Sequence, residues 1–245
     1  MAAPRHAEPI GTRSSAVEDY VKAIHALQVE RGGAVSTNAL ALRLGVTAAS
    51  ASAMFKRLDA TGRVEHTRYH GVRLTPHGEQ LALEVIRKHR LLELFLVESL
   101  GVPWDRVHGD AELLEHHVSD ELIELIAEKL GQPTRDPHGN PIPAVDGTLG
   151  EDRTVALETL EPGASGTFAC VSDADPAMLR YLTEHRMTPG VRLRVLDKQP
   201  FGGPLSVRFP HGPEAVGGDL ARAMRVELDG RPDAGASAGL AITRS

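Results

Sequence analysis

Residues 36–74 read STNALALRLGVTAASASAMFKRLDATGRVEHTRYHGVRL, and the punctuation of this stretch decides the fold. Ser36 stands at an N-cap position before a helix from Thr37 to Leu44, with Leu40 and Leu44 facing inward. Gly45-Val46 makes a tight turn, and Thr47 caps a further helix from Ala48 to Thr61 that Gly62 ends. Val64-Glu65-His66-Thr67 and Val72-Arg73-Leu74 alternate around a turn from Arg68 to Gly71, the pattern of a two-stranded hairpin. Upstream, residues 16–30 set Val17, Tyr20, Val21, Ile24, Leu27 and Val29 largely on one helical stripe, which Gly32-Gly33 stops. Helix, helix, glycine turn, helix, hairpin is the order of a winged helix-turn-helix.

Charge agrees with a nucleic-acid contact at this end. Residues 1–75 hold ten Lys/Arg and six Asp/Glu, a balance of +4, in a chain of 245 residues with net charge −6. A solvated basic face is the alternative reading of charge alone. The recognition helix is built of small residues, so few bidentate base contacts are available. Thr47 and Ser50 suit phosphates or base edges, and Ala49 or Ala53 a thymine methyl. Lys56, Arg57, Arg68 and Arg73 are placed to neutralise phosphates, with part of the recognition falling to DNA shape.

The rest of the chain extends this start. A helix is expected from Thr75 to Leu100, with Pro76 in its first turn, and another from after Asp110 to near Leu130-Gly131. Leu113, Leu114, Val118, Leu122, Leu125 and Ile126 make the latter a packed helix at a dimer seam. Residues 132–150 hold four prolines and three glycines and read as a linker. Short β-branched segments follow at 154–157, 166–171, 192–196, 205–209 and 223–228, with one helical piece from Pro176 to His185, and suggest a small β-barrel. The expectation is a mainly α chain with small β parts: a winged helix-turn-helix domain (1–75), a helical dimerisation domain (76–138), a Pro/Gly linker (139–150), a small β-barrel domain (151–228) and a disordered tail (229–245).

Glu112-Leu113-Leu114-Glu115-His116 carries the chemistry. Glu112, Glu115 and His116 lie at i, i+3 and i+4, on one helical face. His117 falls about 140° from Glu112, at about 100° per residue, and leaves it. Two carboxylates and an imidazole on one face suit a divalent metal; they equally describe a solvated helical face. His66, His70, His77 and His117 read as surface or packing residues.

With the winged module, RKHRLLELFL (87–96), VHGDAELLEHHVSDELIELI (107–126) and GNPIP (139–143), the chain resembles the metal-dependent repressors of the DtxR/MntR type over roughly residues 15–228. The resemblance implies that residues 151–228 form the FeoA-like, SH3-type domain of the longer members. It also implies a primary metal site of Asp19, Glu112, Glu115 and His116. Asp19 and Glu112 stand where iron-responsive members carry methionine and cysteine. Hard carboxylates suit manganese(II), as in the manganese-responsive members. Lys22 stands where the bacillus-type manganese regulators have a second acid, and a cation there opposes a paired-metal arrangement. His89, Glu93 and His108 match the ancillary site of the three-domain members, and by position Asp173 or Asp175 of the barrel would complete it.

The expected protein is therefore a homodimeric, cytoplasmic, manganese(II)-activated repressor of metal-homeostasis genes that binds a double-stranded DNA operator. Iron(II) is the alternative effector, and zinc(II) or cobalt(II) can bind such a site in vitro. A winged-helix regulator sensing an organic ligand, and an adaptor using the barrel, are the other readings. No apolar run is long enough for a membrane span, and no small organic substrate is expected. The single cysteine, Cys170, excludes a disulfide framework and a Cys-rich zinc finger. Neither H-E-x-x-H nor H-x-x-E-H occurs, nor a P-loop, so no catalytic residue is assigned.

Overall fold

The computed structural model describes residues 14–67, 70–150 and 152–229. They divide into an N-terminal unit, up to residue 137 with 141–150, and a C-terminal unit, 138–140 with the residues after 150.

The N-terminal unit opens with α1 (Ser15–Arg31), α2 (Thr37–Leu44), α3 (Ala48–Ala60) and the antiparallel hairpin β1 (Val64–Thr67) and β2 (Gly71–Leu74). Val17, Tyr20, Val21, Ile24 and Leu27 bury the α1 stripe against Leu40, Ala51, Phe55, Leu58, Val64 and Val72. Ser36 and Thr47 cap α2 and α3 by accepting from Ala39 N and Ser50 N. Gly45 closes α2 at φ 63°, a left-handed conformation that costs a side-chain-bearing residue free energy. At Gly71, φ is 92° and a Cβ would stand 2.2 Å from the carbonyl oxygen of Val35. Only glycine lets the wing approach Val35, which bridges to Val72.

Helix α4 (Pro76–Leu100) is capped by Thr75, whose hydroxyl accepts from Gly78 N. It serves two cores. Leu81, Ala82 and Val85 join the core of the winged module. Leu91, Leu92 and Leu94 pack with Ala111, Ile123, Ile126, Ala127 and Ile142 in a second core. Each fully buried leucine contributes about 1.5–3 kcal/mol.

The single helix expected between Asp110 and Leu130 is two helices, α5 (Val107–Glu115) and α6 (Asp120–Lys129). Ser119 is the cause: it is extended (φ −73°, ψ 153°) and its hydroxyl accepts from Leu122 N as the α6 cap. The apolar period runs on across this break through Val118 and conceals it. The start at Val107 also places His108 on a helix.

Within the expected linker at 139–150, residues 141–143 are packed, while most of 144–150 is exposed. Ile142 is buried in the second core and its N–H donates to Thr134 O at 2.9 Å. Arg87 donates to Pro143 O at 3.0 Å, and Arg90 donates to Pro141 O. One apolar residue and two arginines from α4 override the loop-forming composition.

The C-terminal unit contains β3 (Thr154–Ala156), a 3-10 turn (Leu157–Thr159), β4 (Ser165–Cys170), α7 (Pro176–Glu184), β5 (Arg192–Lys198), β6 (Leu205–Phe209), β7 (Gly212–Val216), α8 (Gly218–Ala223) and β8 (Arg225–Leu228). The strands form one antiparallel sheet in the order β3-β8-β4-β5-β6-β7, with register shifts at Phe168/Cys170 and Val195/Asp197 that sharpen its curl. Phe168, Leu179, Leu182, Val195, Val207, Met224 and Val226 fill its core. Edge strand β7 escapes the sequence pattern because it holds Pro213 and only Val216 is buried. Ala223 belongs to α8, so the expected strand 223–228 begins at Arg225. Of the expected tail, Asp229 is held by Ser165 O, to which its N–H donates at 3.0 Å. Residues 230–245 lie outside the described residues. No helix among the described residues is long and apolar enough to cross a membrane.

Candidate metal centre and nucleic-acid interface

Two helices build the centre. Beside the buried stripe of α1 stand Glu18, Asp19 and Lys22. On α5 the buried stripe is Val107, Ala111 and Glu115 at i, i+4 and i+8, so a carboxylate ends an apolar row. His116 is the C-cap of α5, in near-helical conformation (φ −83°, ψ −13°), and follows Glu115 onto the same side.

His116 Nε2 lies 2.9 Å from Asp19 Oδ1 and 3.5 Å from Glu115 Oε1. The donor atoms of Asp19, Glu115 and His116 lie within 4.8 Å of one another. His116 Nδ1 is 2.6 Å from Glu18 Oε2. A second cluster centres on His89 of α4. Its Nε2 is 3.0 Å from Glu93 Oε1 and 3.1 Å from His108 Nδ1, and its Nδ1 is 2.5 Å from Glu115 Oε2. Glu115 thus turns one oxygen toward each cluster. Both Glu115 and Glu93 have fully buried side chains.

Buried carboxylates need counter-charge. Lys22 Nζ supplies it at 2.6 Å from Glu115 Oε1. Burial disfavours the charged form of His89, but the hydrogen bonds it donates to Glu115 and Glu93 outweigh it and raise the imidazole pKa above its ordinary value. Burial likewise works against the Glu115 carboxylate, and the His89 bond and the Lys22 charge outweigh it and hold its pKa below the ordinary value. Anionic oxygens and imidazole nitrogens grouped at these distances fit a hard divalent cation.

The structure therefore brings together Asp19, Glu115 and His116, and separately His89, Glu93 and His108. Glu112 departs from the first set. Its side chain is 51% exposed, and Oε1 lies 3.5 Å from Lys22 Nζ and 3.7 Å from His108 Nε2. Asp173 and Asp175 belong to the C-terminal unit. The Asp175 carboxylate caps α7, accepting from Ala177 N and Met178 N. Glu18 had no sequence signal of its own, because an acid in a first helical turn reads as a complement to the helix dipole.

On the winged module, Ala49, Ser50, Ala53, Lys56 and Arg57 are exposed on α3, opposite buried Ala51, Phe55 and Leu58. Thr47 is exposed too, with its hydroxyl 2.8 Å from that of Ser50. Arg73 is exposed on β2, and Arg68 lies outside the described residues.

Known proteins match this arrangement domain by domain. The N-terminal DNA-binding domain of the iron dependent repressors matches residues 13–72, their metal binding and dimerisation domain residues 75–144, and the FeoA domain residues 155–228. The transcriptional regulator MntR of Salmonella typhimurium is 40% identical over 112 residues, covering 46% of this chain and 70% of that protein. The iron-dependent repressor IdeR of Mycobacterium tuberculosis is 29% identical over 222 residues, covering 86% and 96%. A manganese-dependent transcriptional repressor solved in complex with manganese superposes with a TM-score of 0.82 at 43% identity, over 86% of this chain and 99% of the other. The chain belongs to the iron-dependent repressor (DtxR/MntR) family of metal-dependent transcriptional repressors.

Proposed function

We propose that this protein is a cytoplasmic, manganese(II)-activated repressor that binds palindromic double-stranded operator DNA as a homodimer and controls metal homeostasis. The observation that carries this reading is the convergence of Asp19, on the first helix of the DNA-binding module, with Glu115 and His116 at the end of α5. Asp19, Glu112, Glu115 and His116 are assigned to the primary site, and His89, Glu93 and His108 to the ancillary site. The donors are carboxylate oxygen and imidazole nitrogen without sulfur, which favours manganese(II) over softer ions. The manganese complex of the 43% identical repressor supports the same choice. Iron(II) is the second reading, favoured by the match to IdeR.

A bound divalent ion would supply positive charge where the Asp19 and Glu115 carboxylates meet His116. Asp19 ties α1, and with it the recognition helix α3, to the helical module. Leu113, Leu114, Leu122 and Leu125, exposed on α5 and α6, provide the apolar surface for a second copy. Two recognition helices held at one spacing fit successive major grooves. Moving such an equilibrium from 1:99 to 99:1 takes about 5.5 kcal/mol of differential affinity.

The test is fluorescence anisotropy of a selected palindromic DNA at fixed salt, metal-free and with manganese(II), iron(II) or zinc(II). Tight binding with manganese alone, lost in Asp19→Ala, is expected. Equal binding with and without metal would remove the switch.

A further inference from the structure

The Glu18 carboxylate accepts a hydrogen bond from His116 Nδ1 at 2.6 Å, across 98 positions of chain, with side-chain exposures of only 13% and 12%. A carboxylate only accepts, so Nδ1 carries the hydrogen. The opposite nitrogen, Nε2, faces Asp19 and Glu115. Glu18 therefore stands behind the ring, outside the group of donor atoms that converge in front of it. His116 is a C-cap residue, beyond the last turn of α5, so the helix does not by itself fix the ring.

We propose that Glu18 is a positioning residue: acting through His116, its carboxylate sets the tautomer and ring direction so that Nε2 is the nitrogen offered to a divalent cation. The proposal rests on the assignment of His116 as a ligand. An anionic acceptor on Nδ1–H enriches the electron density at Nε2 and makes it a better donor, and loss of such an outer partner weakens metal binding about 10–100-fold. Glu18 also lies on α1 while His116 ends α5. Seating of α1 is thus a condition for a ready imidazole, and the DNA-binding module supports the centre from behind as well as through Asp19.

The experiment uses the full chain. Manganese(II) affinity is measured by titration calorimetry for wild type, Glu18→Ala, Glu18→Gln and Asp19→Ala, and the His116 ring nitrogens are assigned by 15N NMR of the zinc(II)-loaded protein. Glu18→Ala is expected to bind about 10–100-fold more weakly. Glu18→Gln, whose amide oxygen still accepts, is expected to recover most of that loss. Zinc-loaded wild type is expected to show a protonated Nδ1 and a metal-bound Nε2, a readout available even if Glu18→Ala folds poorly. Wild-type affinity in Glu18→Ala, no recovery in Glu18→Gln, or Nδ1 bound to metal in wild type would each overturn the proposal. Asp19→Ala separates the two levels: if it too binds as wild type, the metal site itself is misassigned.

Discussion

Lys22 Nζ lies 2.6 Å from Glu115 Oε1, a salt bridge that joins α1 to the end of α5 across 93 positions of chain. The other oxygen of the same carboxylate takes His89 Nδ1 at 2.5 Å. A fully buried anion is thus held between the Lys22 ammonium and the His89 ring, and the metal-free protein already carries, in Lys22, an internal substitute for part of the charge a divalent ion brings.

Removing that anion leaves Lys22 and His89 facing each other across a buried gap. Glu115→Ala is expected to destabilise the metal-free protein by about 3–5 kcal/mol. Urea denaturation reads this directly, and an unchanged midpoint would show that the buried pair contributes nothing.

Ligand softness is testable by exchange. Asp19→Met combined with Glu112→Cys should shift activation from manganese(II) toward iron(II). Operator binding titrated with each ion measures the preference, and the same preference as wild type would defeat the assignment.

The pH dependence has a definite sign. The His89 pKa is raised by folding, so its contribution to metal-free stability is complete below the unfolded value of 6.5 and fades as pH rises through the higher folded value. Glu115 is lowered, so its contribution is complete above the unfolded value of 4.5 and is lost as pH falls through the lower folded value. The pair should therefore stabilise the metal-free fold most between 4.5 and 6.5. Thermal melts across pH should show His89→Gln losing its deficit against wild type at alkaline pH; a constant deficit would contradict the shift.

The ancillary cluster can be separated from the primary one. His89→Ala should lower the number of manganese(II) ions bound per protomer while binding at Asp19, Glu115 and His116 persists. Stoichiometry by equilibrium dialysis decides it, and a wild-type count would remove the ancillary assignment.

At the DNA surface, Lys56 and Arg57 are expected to act on phosphates. Each alanine substitution should reduce the slope of log affinity against log salt by about 1, with little change in sequence preference. A slope equal to wild type would place that residue outside the interface.

The winged module was legible almost to the residue, because caps, glycines and apolar periods agreed there: Ser36, Thr47 and Gly45 bound the helices that the spacing demanded. Ser119 was not legible, since one extended residue breaks a helix without disturbing the apolar period. Ile142 was hidden by the prolines around it. In the centre, Asp19, Glu115 and His116 were found from residue type and resemblance. The distribution of charge among them was not, because the spacing of acids does not reveal where Lys22 will reach. Lys22 reaches both Glu112 and Glu115, and His89 reaches both Glu115 and Glu93. Glu18 became visible only when a residue 98 positions away closed on it.

The break at Ser119 gives α5 and α6 separate directions, and each still leaves leucines uncovered. A surface completed only by a second copy makes the folded, metal-responsive state depend on dilution. The ion concentration at which this repressor switches is then set partly by its own abundance: scarce protein needs more metal to reach the same occupancy of DNA, and plentiful protein needs less.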